Sequence, residues 1–391
     1  MGFLIVNVGE TMKEIVFRVN GGGHDRTYTP LIFLLEREKI GEEVKDAYIL
    51  DMETNEVLPV QFSMESSSYV SFAFLAPSLR SFESRKYKIL INKGYNIEYA
   101  NVMSVEDDGS EVKVFSGDFH VLSYKYANVA KPYIYPVRAP NGVSITDNGP
   151  KDHIHHRSLY VAHGDVNGVD IWSEKPGHGF IKHKKFQKVV SGPVYTEIEA
   201  LNVWTDKDGN PLLDEHRKVK VWNIPSREWL IDFEISLEAS YFDVKFGDTK
   251  EGGILSVRVA PTMTVNSGYG KLVNSWGGIN EKEVWGKRAM WCDYIGMLKN
   301  EIFGIAVFDH YKNFRYPTYW HARDYGLMTA NMFGWSYFTG DKSICGDYLL
   351  EKGKSLNFKY RVYVHKGDHI TAEVNSKFIS FIYPPTITIE T

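Results

Sequence analysis

The sequence predicts an all-β fold, and three observations support that prediction. Aromatic residues make up 14% of the 391 residues, and aromatic side chains favour β-strands. The 33 glycines and 15 prolines separate short apolar runs in the way that turns separate strands. No segment shows the periodicity of a long amphipathic helix. We therefore expect strands joined by tight turns along the whole chain.

The first part of the chain predicts a small β-sandwich over residues 12–105. Strand-like alternation occurs at residues 14–19, 29–36, 69–75 and 87–91. Short strands at this spacing, with glycine- and proline-containing turns between them, are typical of a sandwich. The polar segment 104–111 has Val105 as its only apolar residue. We interpret it as the boundary between two domains.

Residues 110–391 predict a second, large antiparallel β-sandwich. Within residues 231–239, every second residue is apolar, namely Ile231, Phe233, Ile235 and Leu237. Acidic residues occupy most of the other positions, so one face of this strand is expected to meet solvent. Asp208 and Gly209 form a hairpin signal between two further strand-like runs. A galactose mutarotase-like sandwich is the fold analogy, and fold alone does not fix function.

Composition and missing motifs exclude several classes of protein. The formal net charge is −4, too balanced for a dedicated binder of nucleic acid or anionic membranes. The longest apolar runs, such as residues 31–35, are far too short to span a bilayer. Dinucleotide, phosphate-loop and serine-elbow motifs are absent, which argues against a nucleotide cofactor and serine hydrolysis. With two cysteines and no signal-peptide pattern, the chain is predicted to be cytoplasmic.

Histidine placement is the strongest local anomaly. Six of the 13 histidines lie between residues 153 and 183. In an extended segment, His153 and His155 point to one side and His156 to the other. Two imidazoles at this spacing can bind a divalent metal ion, line a metal-free polar pocket, or form a surface run without a role. The sequence leaves all three interpretations open.

Three further segments carry candidate polar side chains. Asp165 and Asn167 lie in a glycine-rich turn before Trp172, and such residues also cap turns for purely architectural reasons. Lys250 and Glu251 lie in a loop between glycines, which suits an active site and an ordinary hairpin equally. The third segment combines a ring for stacking, imidazoles, a cation, a carboxylate and an amide, supplied by His310, Trp320, His321, Arg323, Asp324 and Asn331. Adjacent arginine and aspartate are more often a structural ion pair than a catalytic one.

Taken in order, these motifs resemble the bacterial PmoA-like family. The resemblance covers roughly residues 110–391 and rests on five segments that read DHIHHR at 152–157, HGDVNG at 163–168, GDTKEGG at 247–253, WGKRAMWCDY at 285–294 and WHARDYG at 320–326. Ser158 stands where the family pattern has glycine. The resemblance implies a carbohydrate context. Because the methane monooxygenase subunit of that name spans membranes and this chain has no such segment, the name implies no function here.

These observations give three functional hypotheses. The first is a carbohydrate-processing enzyme with epimerase, lyase or hydrolase type acid–base chemistry in a β-sandwich cleft. Its proton-transfer candidates are His155, His156, His163, Glu251, His310 and His321. Its candidates for binding a small-molecule carbohydrate are Arg157, Asp165, Asn167, Trp172, Lys250, Trp320, Arg323, Asp324 and Asn331. The second hypothesis is a metal-dependent lyase or hydrolase with His153 and His155 as ligands, and the third is a non-catalytic sugar-binding protein.

Overall fold

The computed structural model describes residues 13–390, apart from residues 41–42, 65, 95–98 and 100. The all-β prediction is confirmed, because two packed β-sandwiches account for most of the described chain and every strand pair is antiparallel. Residue 12, where the sequence places the start of the small sandwich, lies outside the described residues.

The small sandwich begins with seven strands and one short helix, α1 (Arg37–Ile40). The strands are β1 (Lys13–Asn20), β2 (Arg26–Glu36), β3 (Ala47–Asp51), β4 (Val57–Leu58), β5 (Gln61–Met64), β6 (Tyr69–Leu79) and β7 (Ser84–Ile91). A five-stranded sheet and a three-stranded sheet, β2-β6-β5, enclose a core rich in phenylalanine. Phe17, Phe33 and Phe74 contact one another at the centre of this core.

The remainder of the described chain contains nineteen strands, three α-helices and two short 3₁₀ helices. The strands are β8 (Met103–Asp107), β9 (Glu111–Ser116), β10 (Phe119–Lys125), β11 (Tyr133–Val137), β12 (Leu159–His163), β13 (Phe180–Val190), β14 (Tyr195–Thr205), β15 (Pro211–Asn223), β16 (Trp229–Glu238), β17 (Val244–Phe246), β18 (Gly252–Arg258), β19 (Lys271–Asn274), β20 (Trp291–Leu298), β21 (Glu301–Asp309), β22 (Tyr319–Arg323), β23 (Leu327–Asn331), β24 (Tyr348–Leu350), β25 (Ser355–Lys366) and β26 (Thr386–Ile389). The α-helices are α2 (Asn280–Val284), α3 (Trp335–Thr339) and α4 (Val374–Ile382).

Two eight-stranded sheets form the large sandwich. The front sheet has the order β22-β23-β18-β12-β11-β10-β9-β8, and the back sheet has the order β13-β14-β15-β16-β25-β21-β20-β19. Strand β16 shows how the sequence builds it, because Ile231, Phe233 and Ile235 point into the core while Glu234 is exposed. Alternation of this kind buries one face of each sheet and leaves the other face free to carry a site.

The polar segment 104–111 is a β-hairpin of the front sheet and not a linker. Strand β8 pairs with β9, so Val105 lies opposite Val114. Asp108 closes the turn by accepting hydrogen bonds from the amides of Ser110 and Glu111. The segment is polar because β8 is the outermost strand of the sheet and is largely exposed.

The two sandwiches are joined in two ways. Strand β26, from the far end of the described chain, pairs with β1 and completes the five-stranded sheet β26-β1-β7-β3-β4. A hydrophobic cluster also forms between them, in which Ala73 of the small sandwich packs with Trp222 of the back sheet and Phe378 of α4. Strand β8 crosses residue 105 and β26 belongs to the small sandwich, so the predicted domains 12–105 and 110–391 do not coincide with the two sandwiches. Within the described residues, no helix has the length and apolar character needed to cross a membrane.

Candidate functional site

The outer face of the front sheet carries a row of buried polar side chains. Tyr160 on β12 lies opposite Ser256, Ser256 opposite Thr329, and Thr329 opposite His321. Opposed residues point to the same face, and the residues between them, such as Val257, point into the core. The Thr329 hydroxyl donates a hydrogen bond to Ser256 Oγ at 3.1 Å. A polar row on a buried sheet face requires a polar cover.

Residues 152–157 supply much of that cover. The rings of His153 and His156 are parallel within 4°, with centroids 4.6 Å apart. Tyr325 stacks on His153 at 4.7 Å, and Trp172 meets the ring of His156 edge-on at 5.6 Å. The edge of His155 also faces Trp172, at 6.0 Å. We call the set formed by His153, His155, His156, Tyr160, Trp172, Arg258, His321 and Tyr325 the outer-face cluster.

A chain of hydrogen bonds fixes the protonation of His156. His153 Nδ1 lies 3.0 Å from a carboxylate oxygen of Asp152, and Nη2 of Arg258 donates to both oxygens of that carboxylate. Nη1 of Arg258 then lies 3.2 Å from Nδ1 of His156. A guanidinium only donates, so Nδ1 accepts and the proton of the neutral ring is on Nε2. Burial lowers the pKa of His156 far below its usual range, which keeps the ring neutral.

His155 is more open than the buried imidazoles of His156 and His321. It is half-buried, and burial together with the charge of Lys131 lowers its pKa to about 4. Lys131 is 1% exposed, and its ammonium lies 2.7 Å from Glu174. Arg157 also donates to Glu174, from Nε at 3.1 Å. Arg157 is therefore held in an ion cluster beside His155, and His155 is neutral at pH 7.

The predicted loop 247–253 reaches the same face beside His321. Burial, followed by the charge of Arg323, lowers the pKa of His321 to about 3, and Lys250 also acts on it. Lys250 and Glu251 are half-exposed, with Nζ 3.6 Å from Oε1. Burial raises the pKa of Tyr325 to about 12, and the carboxylate of Glu251 adds to that rise. Lys250 and Glu251 thus belong to the rim of the cluster.

Asn331 holds this loop in place and does not face a ligand. Its side-chain amide donates to the carbonyls of Thr249 and Lys250, at 3.0 and 3.2 Å. Its side-chain oxygen accepts from the amides of Phe333 and Gly334. Asn331 is completely buried, so we correct its predicted role from binding to positioning.

Trp172 also differs from its predicted role. It belongs to the cluster, but its exposed fraction is 1%. The ring contacts Tyr160 at 5.2 Å as well as the two imidazoles. A buried ring cannot offer its face to a sugar, so Trp172 orients His155 and His156.

The alternation of strand residues explains why two predicted site residues lie on the core side of the front sheet. His163, the last residue of β12, has its ring 4.8 Å from Phe333 in the core, and its Nε2 donates to the carbonyl of Gly247. Trp320 precedes the outward-facing His321, so it points inward and donates to the carbonyl of Ala289 at 2.9 Å. Both side chains stabilise the sandwich and are not part of the cluster.

Three other residues that the sequence predicts to bind the ligand form hydrogen bonds with the backbone of turns, a strand and a helix start. Asp165 accepts from the amide of Gly168 within a turn. Asn167 donates to the carbonyl of Asp243 and accepts from the amide of Lys245. Asp324 accepts from the amide of Glu281 at the start of α2. These are the architectural roles that turn-forming residues commonly have.

His310 lies in a different part of the molecule. Its ring packs on Tyr311 and Phe381, and it lines a cavity of about 610 Å³ between the small sandwich and the back sheet. The charged side chains of that cavity are already paired, Arg361 with Asp232 and Lys359 with Glu234. We therefore place the candidate site at the outer-face cluster and not at this cavity.

The sequence does not single out Tyr160, Arg258 and Tyr325, which belong to the cluster, nor Lys131 and Glu174, which lie beside it. Lys131 and Glu174 are far apart in sequence from their partners and carry no motif. The alternation of β18, in which Val257 faces the core, is the signal that could have placed Arg258 on the outer face.

The two predicted metal ligands lie side by side, with the rings of His153 and His155 5.7 Å apart. Nδ1 of His153 is already bonded to Asp152. Among the residues that the structure describes, no group of three or more histidine, cysteine, aspartate or glutamate side chains is arranged to hold a metal ion.

Comparison with known proteins gives one family and a distant structural likeness. The search of curated proteins found no match. A protein in the glycosyl hydrolase family 38 from Enterococcus faecalis matches with a TM-score of 0.41 and 9% identity over 97% of this chain and 47% of its own. An alpha-mannosidase from Enterococcus faecalis V583 matches with a TM-score of 0.44 and 8% identity over 97% of this chain and 46% of its own. The chain thus spans about half the length of these two solved structures. Residues 111–379 match the model of a family described as "Family of unknown function (DUF6807)", and the chain belongs to that family.

Proposed function

We propose that the chain is a carbohydrate-processing enzyme and that the outer-face cluster with its rim is the active site. One observation carries the proposal, namely that three segments far apart in sequence, 152–157, 250–251 and 321–323, lie together on one face of the front sheet. Titratable groups gathered in one place with strongly shifted pKa values are typical of functional sites. The reaction class is acid–base chemistry on a sugar or sugar derivative, as an epimerase, lyase or hydrolase.

Two proton-transfer candidates remain accessible to a ligand. His156 and His321 are buried, whereas His155 and Glu251 are both half-exposed. A neutral imidazole can accept a proton, and a carboxylate at the rim supplies a second titratable group. We assign proton transfer to His155 and Glu251, and we assign to Trp172 the role of orienting His155.

Aromatic side chains support a carbohydrate ligand. Phe338 lies 6.4 Å from His321 and stacks on Tyr319 at 5.5 Å. The guanidinium of Arg288 lies over the ring of Tyr319. The backbone carbonyl of Arg288 accepts a hydrogen bond from the indole N–H of Trp276. The exposed fraction of Trp276 is 69%. An exposed indole such as that of Trp276 suits the apolar face of a sugar.

If the outer-face cluster is an active site, the protein should turn over a sugar or sugar derivative. A panel of sugars, sugar acids and glycosides incubated in D₂O with the protein should give a new product or deuterium at a ring carbon, seen by NMR. His155→Gln and Glu251→Gln should each lower kcat by about 10²–10⁴-fold, the usual contribution of a positioned acid or base.

His178→Gln is the matched control, because His178 lies outside the cluster. Full turnover in both site variants would contradict the proposal. Sugar binding without turnover would favour the non-catalytic hypothesis, and loss of turnover on chelation would favour the metal-dependent one. A small-molecule carbohydrate partner, a cytoplasmic location and the PmoA-like resemblance stay predictions.

A further inference from the structure

A short run on β2 is apolar on both of its faces. Leu31, Phe33 and Leu35 are buried in the core of the small sandwich. Ile32 and Leu34 point to the opposite face, where they are 49% and 53% exposed. An antiparallel sheet with one face on a core commonly carries polar side chains on its other face. Packing within the small sandwich therefore does not explain the second apolar face of β2.

Ile32 and Leu34 line the cavity of about 610 Å³ between the small sandwich and the back sheet. We call it the inter-sandwich cavity. Pro30, Phe381 and Pro384 extend its apolar lining. Ligand pockets commonly have volumes of about 300–1,000 Å³ and often lie where two domains meet. The size and position of this cavity thus suit a small-molecule ligand.

The other wall of the inter-sandwich cavity is the outer face of the back sheet, where the charges cancel. Asp232 lies opposite Arg361, and Glu234 lies opposite Lys359, in the ladder of β16 and β25. His310 adds no charge at pH 7, because burial lowers its pKa to about 4. A charged ligand would lose its hydration there and gain no net electrostatic attraction, so this wall favours a neutral ligand.

The charged groups of this wall keep hydrogen-bonding capacity for a ligand. Lys359 lies 2.9 Å from Glu234, and the two side chains are 52% and 51% exposed. An ammonium has several donors and a carboxylate several acceptor positions, so a single mutual bond leaves some of each. Arg361 donates to Asp232 from Nε and Nη2, so its Nη1 is outside that pair. The wall therefore offers donors and acceptors side by side.

We propose that the inter-sandwich cavity is a second carbohydrate-binding site, which takes a neutral sugar without carrying out chemistry on it. Sugar hydroxyls both donate and accept, which matches the charged wall. The C–H face of a sugar ring matches the wall formed by Ile32, Leu34 and Phe381. The cavity and the outer-face cluster lie on opposite sides of the large sandwich, so this inference goes beyond the proposed function and does not depend on it.

Binding of neutral sugars tests this inference. Ligand-observed NMR titrations with D-glucose, D-galactose, maltose and lactose should give saturable binding of at least one of them. D-Glucose 6-phosphate and D-glucosamine add a negative and a positive charge to the same kind of ring. We expect both to bind more weakly than the best neutral sugar, because the walls give no net attraction to offset the loss of hydration.

Two pairs of variants locate the binding. Leu34→Ser should weaken it about fivefold or more, because it removes apolar area from the cavity wall. Met64→Ser is its control, because Met64 is also 53% exposed on the same small sheet but does not line the cavity. Glu234→Gln should weaken binding about threefold or more, because a neutral acceptor forms weaker hydrogen bonds. Glu238→Gln, on the same strand but outside the cavity, should not.

These side chains are exposed, so all four variants are expected to fold. The inference is wrong if no neutral sugar binds, if a charged sugar binds most tightly, or if Leu34→Ser and Glu234→Gln bind like their controls. Binding that His155→Gln and Glu251→Gln abolish, and that the cavity variants retain, would keep the proposed function and overturn this inference. Binding that the cavity variants weaken, in a protein without turnover, would support the inference and count against the proposed function.

Discussion

Buried imidazoles are the feature of the molecule that matters most at the scale of single residues. Burial lowers the pKa of His155, His163 and His310 to about 4, and that of His321 to about 3. The unfolded chain has ordinary histidines with a pKa near 6.5. These four rings are therefore neutral in the folded protein under conditions where the unfolded chain already takes up protons.

The sign of the pH dependence follows from this difference. The contribution of the four neutral rings to the free energy of unfolding is complete above pH 6.5. It is lost as the pH falls from 6.5 towards the pKa values of these histidines in the folded protein. Each ring should lower the free energy of unfolding by up to about 1.4 kcal/mol per pH unit in that window. Asp309 acts in the opposite direction, because burial raises its pKa to about 7.

A comparison of variants measures how much a single histidine contributes to this pH dependence. Urea unfolding at pH 7, 6 and 5 should show that His321→Gln depends on pH less steeply than the wild type, by about one proton. His178→Gln should keep the wild-type dependence. Equal slopes for His321→Gln and the wild type would show that His321 is not held neutral by the fold.

At the scale of elements, strand alternation decides which predicted residues reach the site. The sequence singles out the histidine segment and the loop 247–253, because unusual polar density is visible locally. It does not show that His321 points to the outer face and Trp320 to the core, because this depends on which side of β22 the other sheet covers. The same alternation turns His163 towards the core together with Leu159 and Val161, although His163 begins a polar run.

Strand β26 allows a test at this scale. Ile387 packs against the core of the small sandwich, while Thr388 is exposed. Ile387→Asp should lower the free energy of unfolding by about 1–3 kcal/mol, because it places a charge against apolar side chains. Thr388→Asp should change it by no more than about 0.5 kcal/mol. Urea unfolding measures both, and equal effects would mean that β26 contributes no packing.

For the whole molecule, the sequence predicts two sandwiches but not how they are joined. Local patterns define strands such as β16, and they do not tell which strands pair across hundreds of residues. The pairing of β26 with β1 is of this kind, since Phe17 lies opposite Ile389. The hydrophobic cluster around Ala73 and Trp222 likewise becomes visible only when both sandwiches are in place.

This interface predicts that the two sandwiches unfold together. Ala73 is 2% exposed in the cluster shared with the back sheet, whereas Met64 on the same small sheet is 53% exposed. Calorimetry of the wild type should show one transition. Ala73→Asp should split it into two or broaden it, because a charge is buried at the interface. Met64→Asp should leave a single transition, and a single sharp transition in Ala73→Asp would contradict the coupling.

The pairing of β26 with β1 has a consequence for synthesis on the ribosome. Strand β1 is made early, but its partner on one side emerges only after residues 92–385. At about 5–20 residues per second, the nascent small sandwich waits roughly 15–60 s with that edge unpaired. An unpaired strand edge is a template for association with other chains. Newly made chains of this protein should therefore depend on chaperones until translation of β26 is complete.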